Sequence, residues 1–259
     1  MKAAQLIFRF FIKLLANMLK VLCYGFHTAF PKMRFQLPSF SKPLRGSSAR
    51  ESIPKTIWQT NFTSNVTLPV YLNYLFNRLM APSFSYRFMV TEEREKFIFE
   101  NFDATINDSY KKLQIGAAQA DFWRLLVLYK HGGVYMDIDA HLVWSLGQIL
   151  SDCDRELYLK IKTGEISNYF IASVAGNKNL IDLIDRVCRN IDRASSDNVY
   201  YLTGPGVFNE VLAGRNVPTR YYLYTCNQGN FTNEYFQYID KPQGKWTKEQ
   251  KKINVINRN

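Results

Sequence analysis

Residues 114–142 read QIGAAQADFWRLLVLYKHGGVYMDIDAHL, and the order of residue types in this stretch decides the fold around it. Apolar side chains recur at three- and four-residue spacing from Ala118 to Tyr129, which predicts a helix. Gly132-Gly133 predicts where the helix ends, and the apolar run 134–136 predicts a short strand. The opposite helix face is also apolar, so we expect a helix that is buried on nearly every side.

Two charged residues, Asp121 and Arg124, interrupt this apolar helix one turn apart. A buried ion pair is usually no more stabilising than apolar residues of similar volume, so its presence needs a reason. One interpretation is a structural ion pair. The other is a pair that binds a ligand, and the helix pattern alone leaves both open.

Two carboxylates, Asp137 and Asp139, follow the predicted strand. If the chain stays extended there, both side chains project to the same side, because side chains alternate along a strand. Two carboxylates this close repel each other unless a cation lies between them, and Mg²⁺ or Mn²⁺ prefers oxygen ligands of this kind. A second Asp-x-Asp sequence, at residues 152–154, has no strand before it and lies among charged residues, so we expect an exposed turn there.

The complete segment, rather than the aspartate pair alone, resembles the DxD sugar-binding region of glycosyltransferase family 32. The family pattern is a helix with a small residue, Asp, two residues and Arg, followed by Tyr, Gly-Gly, a strand and Asp-x-Asp. This chain matches the pattern from Ala120 to Asp139. Weaker similarities, which extend the resemblance from Ile53 to Trp246, lie at IPKTIWQT (53–60), Asn168 and TGPG (203–206).

The resemblance implies metal-dependent transfer of a hexose-type sugar from a UDP- or GDP-sugar to an acceptor hydroxyl, with retained anomeric configuration. A divalent cation, Mn²⁺ or Mg²⁺, would neutralise the diphosphate as the glycosidic bond breaks. By the family pattern Asp139 would bind the metal directly, and Asp137 would reach the metal or the ribose. Asp121 and Arg124 would hold the donor sugar, with Arg124 also near the leaving phosphate.

Three further residues receive donor-side roles from the same resemblance. Trp58 would stack on the nucleobase, as an aromatic face does for any base. Asn168 and Gly204 would contribute to binding the donor and to the choice of sugar, which a few contacts decide. The sequence does not disclose which sugar is transferred.

The C-terminal part of the chain departs from the family pattern. Many members have an aromatic residue, two residues, a histidine and a later tryptophan, whereas this chain has QYIDKP at 237–242 and then Trp246. If the tracts align, Asp240 replaces the histidine as a metal ligand, and a carboxylate suits a hard cation. A loop aspartate without a ligand role is the alternative, and both stay open.

Predicted strands and helices alternate through most of the chain. The strands are expected near 55–59, 86–90, 134–136, 157–161, 169–174 and 221–225, and the helices near 70–80, 92–101 with Thr91 as cap, 118–129 and 180–193. Such alternation favours an α/β fold with a mostly parallel sheet flanked by helices. The resemblance narrows this to a GT-A-type, Rossmann-like nucleotide-sugar-binding domain at residues 53–246.

Basic charge is concentrated at the two ends of the chain. Residues 1–55 hold ten lysines and arginines against one acidic residue, and residues 241–259 hold six against one. Of the net charge of +11, these ends carry +9 and +5, so residues 56–240 carry −3. A nucleic-acid-binding protein is expected to present Lys and Arg on its folded surface, so we expect no nucleic-acid partner.

The N-terminal residues 1–30 combine many apolar residues with one cationic stripe. At about 100° per residue, Lys2, Arg9, Lys13 and Lys20 fall within roughly 20° of one line along a helix. These charges interrupt the apolar run, so neither a membrane span nor a signal peptide fits. We expect an amphipathic helix in the interface of an anionic membrane, with its cations toward the headgroups. A helix packed on its own domain is the alternative.

Two basic segments border the predicted catalytic domain. Residues 31–52 contain three prolines and five cations, among them Arg50, and are interpreted as a linker. Residues 247–259 are interpreted as a basic C-terminal tail.

The compartment is predicted from cysteines and glycosylation sequences. Four cysteines are scattered without the spacing of a metal site or a disulfide scaffold, which favours reduced thiols. We expect a peripheral enzyme on the cytoplasmic face of a bacterial inner membrane, acting on a lipid-linked or cell-surface polysaccharide acceptor of the lipopolysaccharide kind. Four Asn-x-Ser/Thr sequences would instead support a Golgi membrane enzyme of glycoprotein or glycolipid glycans, if they are glycosylated.

Two other function classes compete with a glycosyltransferase. A metal-dependent phosphatase of the Asp-x-Asp-x-Thr/Val type needs Thr or Val where this chain has His141. A non-catalytic membrane-bound module would have little reason to keep four costly charges near apolar surroundings.

Overall fold

The computed structural model of the chain describes residues 2–46 and 52–257. The helices are α1 (Lys2–Ala29), α2 (Leu68–Met80), α3 (Thr91–Asn101), α4 (Ala104–Lys112), α5 (Gly116–His131), α6 (Leu146–Leu150), α7 (Lys178–Asp192), α8 (Val199–Leu202), α9 (Pro205–Val211), α10 (Glu234–Tyr238) and α11 (Trp246–Glu249). The strands are β1 (Phe35–Gln36), β2 (Phe40–Ser41), β3 (Thr56–Thr60), β4 (Asn65–Val66), β5 (Ser85–Met89), β6 (Gly133–Met136), β7 (Ala140–Leu142), β8 (Glu156–Lys160), β9 (Ile166–Ser173), β10 (Thr219–Tyr221) and β11 (Cys226–Gln228).

Seven strands form the central sheet in the order β10-β8-β9-β6-β3-β5-β2. The predicted α/β class with helices flanking a sheet is confirmed. The sheet is mixed, however: β6, β3 and β5 are parallel to one another, and β9 runs antiparallel to both of its neighbours. The expectation of a mostly parallel sheet therefore holds for the central group and for the pair of β10 with β8, whereas β9 and β2 run antiparallel to their neighbours.

Each face of the sheet has its own apolar core. Alternate strand residues point to opposite faces, so Trp58 and Tyr135 join the core formed with α5 and α7, whereas Ile57 and Val134 join the core formed with α2 and α6. Helix α5 is buried along most of its length, as its sequence predicts.

The Gly-Gly sequence after α5 allows the chain to turn directly into β6. Gly132 ends the helix with φ of 65°, and Gly133 has φ of 109°. A Cβ atom at Gly133 would lie 2.6 Å from the Thr56 carbonyl oxygen, so no larger residue fits without backbone movement. This turn places Asp137 at the end of β6, next to the end of β3.

Three predicted boundaries are corrected by the structure. Thr91 is the first residue of α3 rather than its cap, because Glu93 accepts the free backbone N–H of Val90. The strand expected at 221–225 is β10, which ends at Tyr221, and Tyr222–Tyr224 form a 3₁₀ turn. Helix α4 was not predicted, and it begins at an Asp103 side chain that accepts the backbone N–H of Ile106.

The segments interpreted as a linker and a tail are packed on the domain. Within 31–52, β1 pairs with β4 and β2 extends the central sheet, while residues 47–51, including Arg50, lie outside the described residues. In the C-terminal segment Val255 and Ile256 are buried in the α5-side core. The folded body therefore includes described residues from both basic ends.

Helix α1 lies against the same body along one face. The side chains that face the body are buried, and they are Gln5, Ile12, Ala16, Cys23 and His27. The opposite side carries exposed apolar residues from Leu6 to Leu22. Among residues 2–46 and 52–257, no helix combines the length and the apolar character needed to cross a membrane.

Candidate active site

The carboxyl ends of the parallel strands β3 and β6 open into a cavity with a volume of about 700 Å³. Ligands of open α/β sheets bind at this edge. The N-terminal half of α5 forms one wall, and residues between β11 and α11 form another. Asp121, Arg124, Asp137, Asp139 and Asn168 all line this cavity.

Arg124 joins two of the predicted carboxylates. Its guanidinium lies 2.8 Å from the Asp121 carboxylate and 3.3 Å from the Asp137 carboxylate. The same group donates to the Asn168 carbonyl oxygen at 2.6 Å and lies over the Tyr135 ring, 4.3 Å from its centre. These contacts fix the position of the guanidinium at the cavity wall.

Asp121 is held by neutral donors as well as by Arg124. The Asn168 amide donates to Asp121 at 2.9 Å and the Thr203 hydroxyl donates at 3.2 Å. Burial raises the pKa of Asp121 to about 6, although Arg124 lowers it. A carboxylate kept in a buried place at this electrostatic cost is typical of a functional site.

Asp137 and Asp139 converge although the chain turns between them. Residues 138–139 form a turn, yet the Gln228 amide donates to both carboxylates, at 3.0 Å to Asp137 and 3.2 Å to Asp139. Gln237 donates to the other oxygen of Asp139 at 3.1 Å. The expected same-side placement therefore results from a turn rather than from an extended strand.

The electrostatics of the pair are unfavourable without a cation. Burial and, to a smaller extent, the neighbouring Asp137 raise the pKa of Asp139 to about 6. Burial alone would lower the pKa of Arg124, but Asp137, Tyr135 and Asp121 raise it above its ordinary value. One guanidinium thus faces three carboxylates at the floor of the cavity.

The donor set fits a hard divalent cation. The described residues contain no group of three or more His, Cys, Asp or Glu side chains that could hold a metal ion. Mg²⁺ is commonly bound by one or two carboxylates together with substrate phosphates, which two aspartates can provide. A half-turn of the Gln228 or Gln237 carboxamide would present a further oxygen, so all ligands would be oxygens.

Trp58 does not line the cavity, and the nucleobase-stacking role predicted for it stays a prediction. The indole N–H donates to the Gly132 carbonyl oxygen at 2.9 Å, and its ring stacks on His131. Only 4% of Trp58 is exposed. Its position two residues before the end of β3 directs it into the α5-side core, and Phe62 lines the cavity instead.

Asp240 does not line the cavity that holds the aspartate pair, and the metal role considered for it stays a prediction. It forms a two-point ion pair with Arg34, with both N–O distances 2.6 Å, on an exposed surface. Arg34 lowers the pKa of Asp240 by this hydrogen bond. The residue of that tract which reaches Asp139 is Gln237, three positions earlier.

Gly204 supports the site from outside the cavity. A Cβ atom there would lie 3.0 Å from the Val199 carbonyl oxygen, so the glycine permits close packing of α8 on α9. The preceding residue, Thr203, is the one that contacts Asp121.

Sequence reasoning missed four side chains that organise the site: Tyr135, Thr203, Gln228 and Gln237. Tyr135 donates its hydroxyl to Asp137 at 2.6 Å. Tyr135 and Thr203 lie inside quoted motifs and could have been found by their spacing to the aspartates. The two glutamines carry no motif, because their placement depends on how residues 226–238 fold back over the sheet edge.

The second Asp-x-Asp is confirmed as an exposed turn. Asp152 is 71% exposed at its side chain and pairs with Arg220. It lies outside the cavity.

Comparisons with known proteins agree with this geometry. Residues 69–155 match the family described as the glycosyltransferase sugar-binding region containing a DXD motif. An uncharacterized glycosyltransferase of Acanthamoeba polyphaga mimivirus is 25% identical over 194 residues, covering 70% of this chain and 76% of that protein. The initiation-specific alpha-1,6-mannosyltransferase of Schizosaccharomyces pombe is 23% identical over 62% of this chain, which spans only 48% of that enzyme.

Among solved structures, the PaToxG glycosyltransferase has a TM-score of 0.50 at 21% identity, covering 62% of this chain and 69% of that one. This likeness supports the GT-A fold expected from the sequence. With a sugar-binding DXD region on that fold, the protein is a glycosyltransferase. The segment from Ala120 to Asp139, which resembles glycosyltransferase family 32, lies within the matched residues.

Proposed function

We propose that the protein transfers a hexose-type sugar from a nucleotide-sugar, UDP- or GDP-linked, in a reaction that depends on Mn²⁺ or Mg²⁺ and retains the anomeric configuration. The observation that carries the proposal is the Arg124 guanidinium between Asp121 and Asp137, beside a second carboxylate, Asp139. A divalent cation held by Asp137 and Asp139 would act as a Lewis acid on the diphosphate.

The protein's own residues supply orientation and charge. Arg124 is held at four points, so its positive charge is available to a leaving phosphate without reorganisation, which is the main source of electrostatic catalysis. Asp121 accepts hydrogen bonds from buried donors and would accept those of sugar hydroxyls from the cavity side. The Asp121 carboxylate is engaged by Arg124, Asn168 and Thr203, which favours a hydroxyl-binding role over covalent attack.

Donor hydrolysis tests this proposal directly. Purified protein is incubated with Mn²⁺ or Mg²⁺ and a panel of UDP- and GDP-sugars, and free nucleoside diphosphate is followed. We expect release from one donor, abolished by a chelator and by Asp139→Asn. Metal-independent release, or metal-dependent release that Asp139→Asn leaves unchanged, would contradict the assignment.

We further propose that the protein attaches to an anionic phospholipid surface and uses a lipid-linked or cell-surface polysaccharide acceptor. The outward face of α1, defined as Leu6, Ile7, Phe8, Phe10, Phe11, Leu14, Leu15, Met18, Val21 and Leu22, is apolar and between 38% and 70% exposed at each residue. A contiguous apolar surface of this kind is a mark of membrane or protein contact. The exposed cations Lys13 and Lys32 near this face favour an anionic bilayer.

Two cations of α1 that were expected to face the lipid headgroups have partners in the protein. Arg9 and Lys20 form hydrogen bonds with the protein body rather than facing headgroups. The helix would then dock through its cationic side and insert its apolar side, with the other cations at the margin.

A vesicle-binding assay distinguishes attachment through α1 from nonspecific hydrophobic adsorption. Replacing Ile7, Leu14 and Val21 together by Ser should weaken binding to vesicles containing phosphatidylserine by about tenfold or more, because three large apolar contacts are lost. The matched control, Leu79→Ser with Phe99→Ser, removes equally exposed apolar residues elsewhere and should bind like the wild type. Equal binding by both variants would contradict attachment through α1.

The proposed compartment is the cytoplasmic face of a bacterial inner membrane. All four cysteines carry free thiols, which suits a reducing compartment. The amides of Asn107 and Asn230 hydrogen-bond within the protein, which disfavours glycosylation at these two of the four sequences. Fractionation of the producing cells, with and without the three Ser substitutions in α1, tests the attachment in place.

A further inference from the structure

We infer that α1 helps to position the active-site aspartates, in addition to attaching the protein to a membrane. Arg9 and Lys20 on α1 donate hydrogen bonds to Asn227 and Gly229, the two neighbours of Gln228. Gln228 in turn donates to both Asp137 and Asp139. The two cations are positioning residues that act through Gln228. This inference rests on the proposed metal-dependent reaction for its catalytic consequence, but its structural part is independent of that reaction.

The strand that carries Gln228 is short, and its first residue, Cys226, is held from the core side by the Tyr169 hydroxyl, which donates to the Cys226 carbonyl oxygen at 2.8 Å. β11 is three residues long and pairs only with β7, in a two-stranded sheet apart from the central one. A two-stranded ribbon is marginally stable in water unless something packs against it. The register places Gln228 opposite Ala140, and the Gly229 N–H donates to the Asp139 carbonyl oxygen at 3.2 Å. Movement of this strand would therefore move the Asp139 turn.

Two long cationic side chains of α1 stabilise the end of β11 that carries Gln228. The Arg9 Nε donates to the Asn227 side-chain oxygen at 2.8 Å, and Asn227 is only 4% exposed. The Lys20 ammonium donates to the Gly229 carbonyl oxygen at 2.9 Å. Hydrogen bonds from charged donors are stronger than neutral ones, and a buried acceptor left without its donor is costly.

The contact continues toward the second glutamine. Phe231 packs against Ile12 and Ala16 in a small apolar cluster. Farther along, the Asn233 amide donates to the Tyr24 hydroxyl at 2.6 Å, and the Tyr24 ring lies 4.6 Å from that of Phe236. Gln237 follows directly and reaches Asp139. Both amides that contact Asp139 thus belong to the segment that α1 covers.

The inference separates two functions on two sides of one helix. The outward face contacts a bilayer, whereas Arg9 and Lys20 position the aspartate pair through Gln228. A helix that served only as an anchor would leave hydrolysis of a soluble donor, measured without membranes, unaffected by substitutions on its inner side.

The experiment compares full-length Arg9→Ala, Arg9→Lys, Lys20→Met and Lys13→Ala. Lys13 is the matched control, since it is exposed on the same cationic stripe. Hydrogen exchange of the ligand-free proteins is measured for peptides covering 226–232 and 136–140. We expect exchange in both peptides to rise several-fold in Arg9→Ala and Lys20→Met, to stay near wild type in Lys13→Ala, and to recover partly in Arg9→Lys.

A binding measurement adds the functional readout. Titration with Mn²⁺ and nucleoside diphosphate should show affinity about tenfold weaker in Arg9→Ala and Lys20→Met. Gln228→Ala should weaken it similarly, and combining it with Arg9→Ala should add little, because residues acting on one element are not additive. Lys20→Met keeps the apolar stem, so it provides a folded variant if Arg9→Ala is unstable.

Unchanged exchange at 136–140 in both α1 variants would overturn the inference, whatever their activity. Full additivity of Arg9→Ala and Gln228→Ala would also overturn it. If the wild type releases no nucleoside diphosphate but the exchange pattern is as expected, the structural coupling is supported and the proposed reaction is what fails.

Discussion

The chain contains two Asp-x-Asp sequences of identical spacing, and their surroundings make them different. Asp137 and Asp139 follow a buried strand and share a cavity with Arg124 and two glutamines. Asp152, in the second sequence, lies in an exposed turn beside Arg220. The functional difference therefore comes from burial and from the neighbouring residues at the end of a strand. The Asp-x-Asp spacing alone does not distinguish the two sequences.

The largest expected difference between the two sequences is catalytic. Asp139→Asn should reduce metal-dependent release of nucleoside diphosphate by about a hundredfold or more, because a metal ligand contributes several kcal/mol. Asp152→Asn should change the rate less than twofold, because it lies outside the cavity. Initial rates at saturating Mn²⁺ measure both. Similar losses of rate in the two variants would show that the two aspartate pairs do not differ in catalytic role.

The next difference concerns the arginine beside each pair. Arg124→Met leaves Asp121 buried beside Asp137, so we expect a loss of about 3 kcal/mol in unfolding free energy. Arg220→Met breaks an exposed pair and should cost about 0.5 kcal/mol. Urea denaturation gives both values. A loss in Arg124→Met as small as that in Arg220→Met would show that the buried cluster is not electrostatically bound together.

A smaller effect is the pH dependence that burial gives to the cluster. The pKa of Asp121 is about 6 in the folded protein against an ordinary value of 3.8, so the folded state binds this proton more tightly. Stability contributed by this group is therefore present at low pH and is lost as the pH rises from about 4 to about 6. Relative to Asp121→Asn, the wild type should lose roughly 3 kcal/mol across this window. Denaturation at several pH values tests the sign, and a difference independent of pH would contradict it.

The smallest expected effect is that of a single neutral donor. Gln237→Ala removes one hydrogen bond from Asp139 and should lower the rate by about threefold to tenfold. Ser151→Ala, which removes an exposed hydroxyl next to the second aspartate pair, should have no effect on the rate. A null result for Gln237→Ala would mean that Gln228 alone organises the pair.

Much of the fold was predictable because local patterns determined it. The segment 114–142 predicts α5, the Gly-Gly turn and β6, and the structure confirms each of them. The parallel group of β3, β5 and β6 follows from alternation of strands and helices. The reversal of β9 was not predictable, because a hairpin and a crossover can leave similar strand patterns in the sequence.

Within the site, the predicted residues of the central motif and Asn168 line one cavity, whereas Trp58 and Asp240 do not line it. Asp121, Arg124, Asp137 and Asp139 are close in sequence and meet at one cavity floor. Trp58 was assigned a ligand because its type suits a base, but strand alternation directs it into the core. Asp240 was assigned by alignment of a weak tract, and its partner is an arginine 206 residues away.

The sequence by itself determined the glycosyltransferase class, the DXD site and an amphipathic N-terminal helix, because each depends on residue types at short spacing. Only the tertiary structure decided which side of α1 faces the body and which glutamines hold the aspartates. Those outcomes depend on contacts between segments far apart in the chain, such as Arg9 with Asn227, and short-range periodicity contains no information about them.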